Sequence, residues 1–319
     1  MSCHDKLSER VRELTAEEFK EFEQRVVQGA DLVAPNAAFE KRRDKLRREF
    51  ISSIGIDQKK YDRAVESDNR RQEAELKAFL GEYRSKSADR RPAPSVSRDI
   101  ATHASALAEA GHQILPVFDS SIFAGDRATL AGIAGLPDDH WTDGAINSGW
   151  VFPEDPSRIR IKDGEHNLSL CWPNDYRPSP EFVVRFAFIP ATTGTYEMTA
   201  VIAFHGFYVL VSDDSFWNCR FAKVKLTAQT RVHQYVSTPW KDHPPLLDVE
   251  KQNTSEVTNF DRTFFLDQTA ALRAGDPVIF TVKGVVYGFS HGGGTRAELN
   301  FEAGTSNYIE PQFLSVVKL

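Results

Sequence analysis

The chain has 319 residues, 26% of them charged and 41% hydrophobic, and a formal net charge of −6. That length allows two domains and a sizeable core, and the acidic balance leaves no footprint for nucleic acid or an anionic membrane surface. No apolar run approaches the roughly 18 residues a membrane span needs; the most apolar stretch, "PVIFTVKGVVYGF", is broken by Lys283 and two glycines.

The opening "MSCHDKLSERVREL" lacks the apolar core of a signal peptide, so a cytoplasmic location is expected. Cys3, Cys171 and Cys219 show no CxxC spacing. Zinc-ribbon and thioredoxin-like chemistry lack their signal, and free thiols are expected.

Residues 1–90 are densely charged yet nearly neutral, with 20 Lys+Arg against 19 Asp+Glu. Mixed charge at this density predicts solvated helix faces with i,i+4 pairing. "LTAEEF" reads as a capping box, Thr15 at N-cap and Glu18 at N3, with Leu14 and Phe19 as hydrophobic staple. Phe19, Phe22 and Val26 form an apolar stripe, and Gly29 is a candidate terminator. A second helix is predicted over 37–53, with Phe39, Leu46 and Phe50 on one side. A third is predicted over 58–84, capped by Asp57 and stapled by Ile56 and Tyr61. Its seam, Tyr61, Val65, Asn69, Gln72, Leu76, Phe79 and Tyr83, approaches a heptad rhythm with two polar layers, which predicts either a local helical hairpin or intermolecular association. "KRRDKLRREF" is interrupted by acids that absorb its charge through helical pairs. "SKSADRRPAPSVS" (85–97) reads as a linker, followed by a short helix at 98–111. The division expected is 1–90 helical, 91–114 linker and short helix, and 115–319 β-domain.

From about 115 the pattern has period two. Tyr196, Met198, Ala200, Ile202 and Phe204 share one face. So do Ala222, Val224, Leu226, Ala228 and Val232, with Phe221, Lys223, Lys225, Arg231 and His233 on a wet outer side. Val278, Phe280 and Val282 are expected inside. Turns are expected at "KDGEH", "ATTGTY", "SDDSFWN" and "RAGDP". The fold class predicted is α+β by segregation: a helical N-terminal region, then an antiparallel β-sandwich of jelly-roll type.

"SHGGGTRAELNF" (290–301) carries an HGGG run like the oxyanion loop of lipases. That loop works only beside a separate G-x-S-x-G elbow on a strand–turn–helix, and the chain's one match, "GFSHG" (288–292), overlaps the run itself and opens no helix pattern. Alternating runs on both flanks predict a hairpin or bulged turn using positive φ. It is also no phosphate loop, since no helix and no Lys-Ser/Thr follow. No HExxH or HxH pair occurs, so a cupin metal site is not expected, and His205 and His233 are read as satisfied structural histidines. No cofactor is expected. Calcium is the one ion considered, at the acids Asp213 and Asp214.

The tryptophans fall in Pro/Gly-flanked loops or strand ends. Loop aromatics at the rim of a sandwich are suited to stacking sugars. Trp217, Trp240, Trp172, Asp213 and Asp214 are the candidate ligand-site residues. The function expected is a non-enzymatic assembly or interaction protein, with a protein partner or self-association through the helical segment. The alternative is a lectin-like carbohydrate-binding module.

Overall fold

The computed structural model describes residues 3–64, 66–67, 70–71, 74, 78, 94–123, 144–145, 148–152, 155–167, 179–212, 221–292, 294–304 and 306–319. Helix α1 (Cys3–Ser53) is continuous. It runs through Thr15 and Gly29, so the expected cap at 15 and stop at 29 are corrected. Thr15 Oγ1 donates instead to the Val11 carbonyl one turn back, at 2.8 Å. A single interior glycine costs about 1 kcal/mol, too little by itself to end a helix. Gly55 (φ +82°) terminates α1, with its N–H on the Ser52 carbonyl and that of Ile56 on the Ile51 carbonyl. Asp57 caps the following turn as expected, accepting from the N–H groups of Lys59 and Lys60 at 2.9 and 3.2 Å. Helix α2 (Pro94–Glu109) begins four residues before the expected 98, on a proline suited to a first turn.

The rest is antiparallel β-structure in two sheets. The larger sheet is built on β7 (Gly194–Ser212). The edge strand β11 (Thr254–Leu272) pairs with it along its full length. On the other side β14 (Tyr308–Lys318) pairs with the first half of β7 and β13 (Thr295–Asn300) with the second. β5 (Asp155–Asn167) follows β13, and β3 (Gly144–Ala145) and β4 (Ser148–Phe152) follow β5. β1 (Gln113–Leu115) lies on β14. The smaller sheet runs β10 (Leu247–Lys251), β8 (Phe221–His233), β12 (Val278–His291), β6 (Glu181–Phe188), β2 (Asp119–Phe123), with β9 (Lys241–Asp242) beside β8.

The inward faces match the period-two pattern. Met198, Ala200, Ile202, Phe204, Ala222, Val224, Leu226, Val278, Phe280, Val282, Leu299 and Phe301 are buried in one core between the sheets. His103 of α2 meets Phe265 of β11 edge-on, with ring centroids 5.3 Å apart, so α2 lies on the outside of the larger sheet.

Two turn expectations change. "KDGEH" lies within the second half of β5 and is not a turn. The pairing of β12 with β6 ends at Val285, and among the described residues no strand continues it. The buried carboxylates of Asp163 and Glu165 accept the N–H groups of Gly288 and Ser290 there, at 2.8 and 2.9 Å. Gly164 fits because a Cβ would stand 2.7 Å from the Ala297 carbonyl oxygen. The HGGG run does use positive φ, at Gly292 (+91°) and Gly294 (+71°). It makes no hairpin: β12 belongs to the smaller sheet and β13 to the larger, so the run carries the chain across the sandwich. "RAGDP" is a turn, with Gly275 at φ +83°.

Candidate functional site

The outer face of the smaller sheet is built by β8 and β12. Their register sets Phe221 opposite His291, Lys223 opposite Phe289, Lys225 opposite Tyr287, and Arg231 opposite Thr281. Side chains alternate, so these residues share the face turned away from the core. That face has two halves of different chemistry.

One half lies under α1. Val11 and Leu14 pack with Ile279, and Phe22 packs with Phe123 and Val183. Glu18, expected in a capping box at the surface, is 2% exposed and spans two guanidiniums. Its Oε1 accepts from Arg231 at 2.7 Å, and its Oε2 accepts from Arg185. Arg185 is 0% exposed and also donates to Asp119 at 2.7 Å. Arg25 reaches both oxygens of Glu181 at 2.8 Å. The expected wet side of β8 is therefore corrected at Arg231 and His233, which the helix buries. The period-two pattern could not show this, because the cover comes from residues more than 200 positions away.

His233 is held neutral. Arg10 Nε, a donor only, lies 2.9 Å from His233 Nε2, which must accept. The remaining ring proton then faces Ser237 Oγ, 3.0 Å from Nδ1. Burial, helped by the charges of Arg10 and Arg231 and opposed by Glu13, lowers its pKa from 6.5 to about 4. Any state that frees the ring binds a proton in that window, while the docked state does not. Stability is thus complete above pH 6.5 and falls as pH drops toward 4. Burial lowers His243 in the same direction. Urea midpoints at pH 7 and pH 5 check this: the midpoint should be lower at pH 5, and His233→Gln should flatten the difference.

The other half carries aromatic rings. Tyr287, Phe289 and His291 alternate along β12, and Phe221 joins them from β8; all four are half-buried. Tyr287 and Phe289 centroids lie 6.1 Å apart with planes 14° from parallel. Phe221 stands 5.6 Å from Phe289 and 5.7 Å from His291. On the β10 side is a rim of charge, Lys223 to Glu250 at 3.1 Å and to Asp248 at 3.4 Å, and Lys225 to Asp248 at 3.9 Å. Hydrogen bonding to Glu250 raises the Lys223 pKa, keeping it charged. The strand beneath the rings is fixed by Asp163 and Glu165.

Of the sequence-selected ligand residues, only Trp240 falls among the described ones. It belongs to the helix-covered half, its ring between Arg231 (4.2 Å to the centroid) and Lys283 (4.3 Å). Trp217, Asp213 and Asp214, in the segment that leads directly into Phe221, and Trp172 lie outside the described residues. Of the helical seam only Tyr61 is described; Val65, Asn69, Gln72, Leu76, Phe79 and Tyr83 lie outside. Among the described residues no group of three His, Cys, Asp or Glu could hold a metal ion. His205 and His233 stand in different sheets; His205 faces Asp261 at 3.4 Å and Glu310 at 4.0 Å. Sequence reasoning missed Tyr287, Phe289 and His291, whose signal is their own two-residue spacing. It missed Arg185, whose charge inside the apolar run "FVVRFAF" was the available clue.

No protein-family model matches the chain, and no curated protein matches it. Among solved structures it is similar to a CBM61 module in complex with β-1,4-galactotriose, at 9% identity and TM-score 0.22, over 63% of this chain and 88% of that one. It is also similar to a CBM4 structure, at 12% and 0.18 over 60% and 86%. A xylan-binding CBM22 domain follows, at 10% and 0.16 over 56% and 88%. Likeness at this level says nothing of what this chain binds. The class defined by its own two sheets is an antiparallel β-sandwich. Among the described residues no helix is long and apolar enough to cross a membrane.

Proposed function

We propose that the protein is a non-catalytic glycan-binding module, its β-sandwich of jelly-roll type, and that the stripe Phe221, Phe289, Tyr287, His291 is its sugar platform. The observation that carries this is a row of neighbouring aromatic rings on one sheet face, Tyr287 and Phe289 near-parallel among them, beside a charged rim. Aromatic faces give a sugar's C–H surface apolar contact, and rim charges supply donors and acceptors to its hydroxyls. The stripe runs about 13 Å from residue 287 to 291, at roughly 3.3 Å per residue, which suits an extended chain better than a single small molecule.

A glycan array with the intact protein, with and without calcium, is the direct test. Phe289→Ala should lose the hits while keeping the thermal midpoint close to wild type, since its ring is half-exposed and outside the core. An array blank under both conditions removes this reading.

A second reading is self-association through the helical N-terminal region. Leu46, Phe50 and Ile54 stand exposed at four-residue spacing on and just after α1. Light scattering at high concentration tests it, and a strict monomer removes it.

A further inference from the structure

The aromatic stripe and the ground beneath α1 are one surface. Outward residues of β12 run His291, Phe289, Tyr287, Val285, Lys283, Thr281, and those of β8 run from Phe221 to Arg231. A chain stacked on Tyr287 and extended along β12 reaches Lys283 after about 13 Å. There the surface changes from aromatic to charged: Lys283, Arg231 and Arg185 gather around Trp240 and Glu18, with Asp119 2.7 Å from Arg185, Glu21 3.7 Å from Arg231 and Glu181 acting on Lys283.

This ground has more donors than acceptors. Arg185 Nε and Trp240 Nε1 are buried without a hydrogen-bond partner among the described residues. Among the described residues Lys283 makes no ion pair within 4 Å, although its side chain is buried and burial lowers its pKa. Buried donors left without acceptors are costly, and oxygen-rich anions are what satisfy them. The one carboxylate set between both guanidiniums, Glu18, comes from a helix rather than from the sheet. Arginine pairs are suited to carboxylate recognition by their fixed donor geometry.

We propose that Arg185, Arg231, Lys283 and Trp240 form a carboxylate subsite that Glu18 fills in cis, and that the external ligand is an acidic, uronate-bearing glycan that displaces residues 7–26 of α1 as it extends from the aromatic stripe. The inference rests on the glycan-binding reading. Helix and ligand compete, so the docked helix lowers apparent affinity by the fraction of molecules that are open.

The test uses the full chain with polygalacturonate and alginate, each beside its carboxyl-reduced form, in calorimetry and amide hydrogen exchange. The acidic polymers should bind more tightly than their reduced forms and raise exchange across 7–26. The reduced forms should bind through the stripe and leave that segment protected. Glu18→Gln should raise affinity for the acidic polymers roughly tenfold or more and widen the acidic-to-reduced ratio. Hydrogen exchange on the wild-type protein decides the matter even if that variant folds poorly. Equal affinity for acidic and reduced polymers, or acidic polymer bound with 7–26 still protected, overturns the subsite and leaves the glycan platform standing. No binding by any polymer, together with a blank array, overturns both.

Discussion

Arg185→Ala is expected to lower the unfolding free energy by about 3–5 kcal/mol, the usual cost of removing one member of a buried ionic network. Arg185 is completely buried and divides its donors among Glu18, Asp119 and Ser121. Truncation leaves the Glu18 carboxylate buried with only Arg231 beside it. The protein can limit that loss by releasing α1, which rehydrates Glu18 but gives up the contacts of Val11, Leu14 and Phe22. Urea unfolding should therefore show the loss, and limited proteolysis should show earlier cleavage within residues 7–26. The informative partner is the triple replacement Glu18→Met, Arg185→Met, Arg231→Met. Buried ionic groups exchanged together for apolar ones are often neutral or stabilising by about 1–4 kcal/mol, so most of the loss should return. A single variant costing under about 1 kcal/mol would mean that the network is solvated and the helix loosely held.

Phe204→Ala should be comparably severe, about 3–5 kcal/mol. Phe204 is fully buried, and four rings surround it: Phe264 at 5.6 Å, Phe301 at 5.7 Å, Phe182 at 6.1 Å and Phe260 at 6.4 Å. Those rings come from both sheets, so the void would open at the middle of the sandwich where neither layer can close it alone. Edge-to-face geometry adds to the loss beyond area. The urea midpoint should fall with the slope unchanged. A cost below about 2 kcal/mol would mean that Phe260 and Phe264, carried on the edge strand β11, move in to fill the space.

The outcome at Glu18 shows how far local pattern reaches. Thr15 and Glu18 have the residue types and spacing of a capping box, and both lie within a helix. The box describes what happens where a helix begins, and nothing in "LTAEEF" fixes that the helix begins twelve residues earlier. The carboxylate was then recruited by two arginines 167 and 213 positions away. "KDGEH" misled for a related reason. Asp and Gly are turn formers in isolation, but here Asp163 and Glu165 accept backbone N–H groups of β12 and the glycine admits a neighbouring backbone.

What the sequence determined by itself was the inside of the sandwich. Apolar residues at every second position commit a strand to one buried face whichever strand lies beside it, so Met198 to Phe204, Ala222 to Leu226 and Val278 to Val282 were legible without knowing the topology. Asp57 was legible for the same local reason, since a cap needs only its own first turn. What only the tertiary structure decided was the fate of the outer faces. Whether Phe221 and Phe289 stay half-open while Arg231 and His233 are buried depends on which segment lies across the sheet. That docking is fixed by long-range ionic and apolar contacts, which leave no period in the chain.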